Sequence, residues 1–153
     1  MAKKATAHDA QVVMQLYDLR REAEMRKARK WFVEEFWPQS ADDFLDVANA
    51  FPGQENSWLR QVGSYWDMAA ALVLQGAVHE ELFLQAGISG EMFFIFAKVY
   101  PFLKEIREKM NNPDAFANIE KVATGSNLAR KRLERILKNV EQRRKAMAKA
   151  KKA

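Results

Sequence analysis

Imidazoles and thiols, the side chains most used in nucleophilic catalysis and zinc binding, are scarce in this 153-residue chain. His8 and His79 are its only imidazoles and it has no cysteine, which excludes a disulfide framework, thiolate metal sites and cysteine nucleophiles. Neither histidine follows a glutamate at the Glu-x-x-His spacing of di-iron bundles. The stretch His79-Glu80-Glu81-Leu82-Phe83 begins like a zincin helix, but Phe83 stands where the second ligating histidine is needed on the same face. Gly87-Ile88-Ser89-Gly90 has the wrong spacing for a nucleophile elbow and follows no strand, so Ser89 is expected to cap a helix. Neither a Walker loop nor a G-x-G-x-x-G is present. Asp67, inside the apolar stretch SYWDMAAALV, must face solvent or find a partner, and Arg20, Arg26, Arg29 and Lys98 are the cationic candidates for a buried polar pair. Acid-base catalysis there needs a second titratable group, which the sequence does not place. The expectation is a protein that is not an enzyme and takes no metal or cofactor.

Charge is the other resource. The segment NLARKRLERILKNVEQRRKAMAKAKKA, Asn127 to Ala153, holds eleven Lys and Arg against two Glu. Residues 126–153 therefore carry +9, and the total of +5 leaves −4 for residues 1–125. If Asn127 to Lys149 is helical, Leu133, Ile136, Val140 and Met147 line one narrow face. Arg130, Lys131, Arg132, Arg135, Lys138, Arg143, Arg144 and Lys145 spread over the rest and are the candidate polyanion-binding residues. No Trp or Phe is present to anchor the helix in a membrane interface, and no aromatic is interleaved for base stacking. That leaves first a helix that is solvated or docked on the body or on a second copy, and after it phosphate contact with nucleic acid or an anionic membrane surface without sequence preference.

Glycine and proline are few and separate long periodic stretches, which predicts helices joined by short loops. A first helix is expected from Asp9 to Phe36, stopped by Pro38, with the polar middle LRREAEMRKARK in solvent. Ser40 with Asp43 resembles a capping box for a short helix that buries Phe44, Val47, Ala48 and Phe51 before the Pro52-Gly53 turn. The stripe Trp58, Val62, Tyr65, Trp66, Ala69, Leu72, Val73 marks a central helix from Asn56 to Leu74, with Gly76 at its C-terminal cap. It is expected to pack between the first helix and the one carrying Phe96 and Leu103. A short helix follows over Val78 to Gln85. The stripe Met92, Phe96, Val99, Leu103, Ile106, Met110 marks the next, kinked or broken near Ala97 to Tyr100 by Pro101. Asn112 and Pro113 are expected to start a helix ending at Gly125, and Ser126 to cap the basic one. The last dozen residues are expected to fray.

The fold class is thus all-α, an irregular helical bundle of about six to seven helices with a basic C-terminal helix. The four tryptophans and ten phenylalanines, in a chain 48% hydrophobic, are expected mostly in its core. Residues 1–125 are read as a globular domain and 126–153 as an appended helix, so a chain ending at Gly125 is expected to unfold cooperatively. The apolar-rich run Met68 to Val78 falls far short of the roughly 20 residues of a spanning helix. MAKKATAHDAQ has no apolar run after its lysines, so a secretory signal is not expected and a cytoplasmic location is the default.

The order of features from Tyr17 to Ala123 resembles an uncharacterised bacterial family of small helical domains, a domain of unknown function. The residues that carry the resemblance are YDLRREAEMRKARKWFVEEF, RQVGSYWDMAAALVLQGAVHEELF, VYPFLKEIREKM and FANIEKVA. The resemblance implies no activity. Many members place a membrane-anchoring helix before the domain, where this sequence has MAKKATAHDA, and the basic tail is not part of the family pattern. Composition and resemblance together lead to the expectation of a non-enzymatic protein-interaction module, with sequence-independent binding of nucleic acid or an anionic membrane through the C-terminal helix as the alternative.

Overall fold

A computed structural model describes residues 3–153, which are helical with no strand among them. The all-α expectation holds. The helices are α1 (Ala7–Leu19), α2 (Ala23–Lys30), α3 (Ala41–Ala48), α4 (Gln54–Leu74), α5 (Glu80–Phe83), α6 (Ala86–Val99), α7 (Leu103–Met110), α8 (Ala117–Gly125) and α9 (Asn127–Ala150). A π-helical turn, Trp31–Glu35, follows α2, and a 3-10 turn, Tyr100–Phe102, separates α6 from α7.

Two helices stand where the sequence suggested one from Asp9 to Phe36. Glu22 makes the break: its backbone is extended and its carboxylate accepts from the amides of Glu24 (3.1 Å) and Met25 (2.9 Å), starting α2 afresh. Glutamate lies outside the usual N-cap set, so the boundary carried no recognised signal. LRREAEMRKARK is largely solvated as expected, eight of its twelve residues being exposed, but Arg20 and Met25 are buried along with Ala28. α1 itself opens on Thr6, which forms a full capping box with Asp9 and, with its backbone, holds that carboxyl down to about 2.

The cap of α3 forms as predicted, Ser40 Oγ accepting from Asp43 N at 3.1 Å, although the Asp43 carboxylate returns to Gln39 N (2.7 Å), not to Ser40. Phe51 does not join the α3 face. It is 72% exposed, beyond the end of α3, with the Arg60 guanidinium 5.5 Å from its ring centroid.

Central α4 buries Leu59, Val62, Trp66, Ala69, Ala70 and Val73. Its end is fixed by Gly76 at φ +76°, with Ala77 N donating to Leu72 O (2.9 Å) and Gly76 N to Val73 O (3.0 Å). A left-handed position at this cap suits glycine because a Cβ would be strained there. Its main neighbours are α2 and α8, with α3 beside them, so α8 takes the flanking place expected of the Phe96 helix.

Ser89 is not a cap. α6 starts at Ala86 and Ser89 lies buried inside it. Pro101 ends α6 as expected, because it has no amide to continue the ladder. The run Ala86–Met110 is, among the described residues, the one helical stretch long and apolar enough to cross a membrane by length and composition, at a mean hydropathy of 1.2 with half of that window buried. Its apolarity is that of a core helix: Phe93, Ile95, Phe96, Ala97 and Val99 are fully buried.

Asn112 does not start a helix. Its side chain accepts from Asp114 N (3.1 Å) within a turn between two left-handed residues, Asn111 (φ 49°) and Phe116 (φ 57°), and α8 begins after the second. Ser126 caps α9 as predicted, Oγ accepting from Ala129 N at 3.1 Å. The dozen residues expected to fray are helical as far as Ala150. α9 lies along α6 and α8, burying Ala129, Leu133, Val140 and Arg144.

Candidate functional site

Docking divides α9 lengthwise. Ala129, Leu133, Ile136, Val140, Arg144 and Met147 recur every three or four residues and face the body, buried or half-buried. A second three-four series runs opposite to it: Lys131, Arg135, Lys138, Gln142, Lys145 and Lys149, all exposed. At 1.5 Å per residue these five cations span about 27 Å along one helix face. None of them makes an ion pair or side-chain hydrogen bond with another described residue. Of the two acids of α9, Glu141 pairs with Arg144 at 3.1 Å and Glu134 is exposed beside the cationic face, making no ion pair with a described residue.

The structure therefore sorts the eight candidate polyanion-binding residues. Lys131, Arg135, Lys138 and Lys145 share the free face, to which Lys149 is added. Arg130 is exposed beside it but donates to Thr124 O (2.8 Å) and Asn127 Oδ1 (2.6 Å). Arg132 turns inward, donating to Leu84 O with its guanidinium 5.4 Å from the Phe93 centroid. Arg143 sits 5.5 Å from the Trp37 centroid. Arg144 is only 7% exposed, and donates to Lys98 O (2.9 Å). Arg132, half-buried, and Arg144, buried, thus fasten α9, a correction to their place in the binding set: their guanidiniums point at the body, away from the free face.

Sequence reasoning missed what Arg144 rests on. Lys98 is completely buried, and its ammonium donates to three backbone carbonyls, Phe32 (2.6 Å), Val33 (2.9 Å) and Phe36 (2.9 Å). These belong to the end of the π-helical turn, where carbonyls lack partners along the chain. Trp37 presents its ring 3.8 Å from Lys98 Nζ. Burial, then the charges of Arg143 and Arg144, push the Lys98 amine down to about 7. The available signal was a lone lysine inside MFFIFAKVY, since lysine is rarely buried without a partner.

Asp67 pairs with none of the cations considered for it. Its Oδ1 accepts from the amides of Asn118 (3.1 Å) and Ile119 (3.3 Å), and its Oδ2 from Asn118 Nδ2 (2.8 Å). A carboxylate from α4 thereby serves as the N-terminal cap of α8, whose own cap residue, Phe116, offers no side-chain acceptor. Asp67→Ala is expected to cost about 1 to 2 kcal/mol, and Asp67→Asn less, since one acceptor oxygen remains. Urea denaturation of both variants measures this, and equal stability of Asp67→Ala and the parent would refute the capping role.

His79 also has a structural job. Its Nδ1 accepts from Leu82 N (3.3 Å) to cap α5, its Nε2 contacts Lys3 O, and its amide donates to Asp9 Oδ1 (2.8 Å). Among the described residues no group of three His, Cys, Asp or Glu is placed to hold a metal ion.

No curated protein and no solved structure matches the chain. A family model does: it covers residues 5–126, from just before the Thr6 cap of α1 to the Ser126 cap of α9, and the chain belongs to that family, described as Domain of unknown function (DUF4760).

Proposed function

We propose that this protein is a non-enzymatic interaction module whose contact surface is the outer face of α9 and whose partner is a polyanion, nucleic-acid phosphates being the class that face suits. One observation carries the reading: five cations in a line of about 27 Å, none of them in an ion pair with a described residue, on a helix held by its opposite face. An ordered row of point charges neutralises several phosphates at once with little loss of side-chain order elsewhere, whereas no aromatic on that face reads or stacks on bases. Contact is therefore independent of sequence. The same face has no large apolar residue between its cations to enter a bilayer, which places an anionic membrane second.

Fluorescence anisotropy with two unrelated duplexes tests this. Five neutralised phosphates correspond to log K falling against log salt with a slope near about −4.5. Replacing Lys131, Arg135, Lys138 and Lys145 by Gln is expected to flatten the slope towards −1 and to weaken both duplexes alike. All four are exposed, so stability should change by less than about 0.5 kcal/mol each. Unaltered binding by the quadruple variant, or no binding by the parent at low salt, removes the nucleic-acid reading. Binding to anionic vesicles in place of duplex transfers the face to a membrane.

A further inference from the structure

On the side of the molecule formed by α1 lies a crevice of about 190 Å³ that none of the foregoing uses. Val13 and Leu16 of α1, Tyr65 and Trp66 of α4, Phe83 of α5 and Ile88 of α6 wall it. Met14 and Tyr17, 65% and 46% exposed, stand at its edge. Apart from one residue the walls are apolar or aromatic, and the Tyr65 hydroxyl is already occupied in donating to Leu16 O.

The exception is Arg20, which lines the crevice at 8% exposure. Arginine is rarely so buried without a carboxylate. Arg20 forms no ion pair among the described residues: its one hydrogen bond, Nη1 to Ile88 O, is long at 3.4 Å, and otherwise its guanidinium lies 4.9 Å and 5.5 Å from the Tyr17 and Trp66 centroids. The nearby acid is already engaged. Glu91 receives Arg29 through three contacts of 2.6 to 3.0 Å and Trp66 Nε1 at 3.4 Å. Two guanidiniums beside one carboxylate give this part-buried cluster an excess charge of +1, and Arg20 Nε and Nη2 donate to no described residue.

We propose that the crevice binds a small amphiphilic anion, a monocarboxylate with a short alkyl or single-ring tail, whose carboxylate pairs with Arg20 and whose tail fills the space between α1, α4, α5 and α6. Each part of such a ligand answers one property of the site. An apolar cavity of this size is of the order that accepts a single ring, about 150 Å³ holding benzene. A carboxylate supplies the missing counter-charge in the two-oxygen geometry that a guanidinium prefers. A dianion or a long acyl chain is ill suited, the first because only one positive charge is uncompensated, the second because the volume ends.

Titration of the intact chain with hexanoate, followed by amide and indole NMR signals, tests the proposal, with 1-hexanol and acetate as the tail-only and head-only controls. Saturable shifts centred on Val13, Trp66 and Ile88 are expected, with hexanoate binding at least about tenfold more tightly than either control. Arg20→Met is expected to make hexanoate and 1-hexanol bind alike. The parent comparison decides the matter even if that variant does not fold. Equal affinities for hexanoate and 1-hexanol in the parent, or shifts confined to the cations of α9, would each overturn the proposal. So would concentration-dependent shifts at Met14 and Tyr17 without hexanoate, which would assign the crevice to a side chain of a second copy.

Discussion

A chain that ends at Gly125 is expected to lose its cooperative unfolding transition. The thin apolar stripe of the basic segment suggested the opposite, but Leu133 and Val140 are 4% and 1% exposed and Ala129 is fully buried. Each full burial of a Leu or Val side chain contributes about 1.5 to 3 kcal/mol. Removing α9 also uncovers the surfaces of α6 and α8 on which it rests and strands Lys98 O, the acceptor of Arg144. Together these exceed about 5 kcal/mol, the lower end of the whole stability of a domain. Circular dichroism should still record helices, since collapse outlasts specific packing, while the denaturation curve becomes broad. Leu133→Ala in the full chain gives a graded form of the same test, with an expected loss of about 2 to 4 kcal/mol on urea denaturation. A sharp transition for the shortened chain would mean that α9 is an appendage after all.

Replacing Lys98 is expected to be the most damaging change at a charged position. Lys98→Met keeps the length of the side chain and leaves the carbonyls of Phe32, Val33 and Phe36 facing a methyl group. Hydrogen bonds from a charged donor contribute about 1.5 to 3 kcal/mol each, and relief from burying the ammonium returns several kcal/mol. The net loss should be about 3 kcal/mol near pH 7, and Lys98→Arg, too large for a site already closed by Trp37, should not restore it. The pH dependence carries a definite sign. With a folded value of about 7 against an ordinary 10.5, the unfolded chain holds a proton at this position between those values that the folded chain lacks. The Lys98 contribution therefore makes stability rise with pH across that window, by at most about 5 kcal/mol in total, and adds no pH dependence below or above it. Guanidinium denaturation of parent and Lys98→Met at pH 7 and pH 9.5 isolates the term. A gap between the two that fails to widen with pH shows that the ammonium stays charged in the fold.

What could be read from the sequence was what neighbouring residues encode. The three-four stripe of α4, the caps at Ser40, Gly76 and Ser126, and the break at Pro101 all depend on residues within one or two turns, and all appear where their spacing indicated. Misreadings arose where a partner stands far along the chain or a cap lies outside the usual set. Glu22 starts a helix in the midst of charged residues, and burial of Arg20 then follows from tertiary packing. Lys98 lies 62 to 66 residues from the carbonyls that hold it. The candidate surface divides in the same way. Its cationic composition was plain, but which cations point outward depends on where α9 meets α6 and α8, and this moved Arg132 and Arg144 from the free face to the anchored one.

The cap supplied by Asp67 bears on the order in which the molecule assembles. A helix of nine residues is too short to persist alone in water, because its first turn fixes several dihedrals for a single hydrogen bond. Here even that turn lacks a local acceptor; the carboxylate that stabilises it arrives from 51 residues upstream. α8 therefore waits for α4 to be present and correctly oriented, and α9, resting on α8, waits in turn. The carboxyl-terminal quarter of the chain is a late arrival, and its amides are expected to acquire protection in refolding after those of α4.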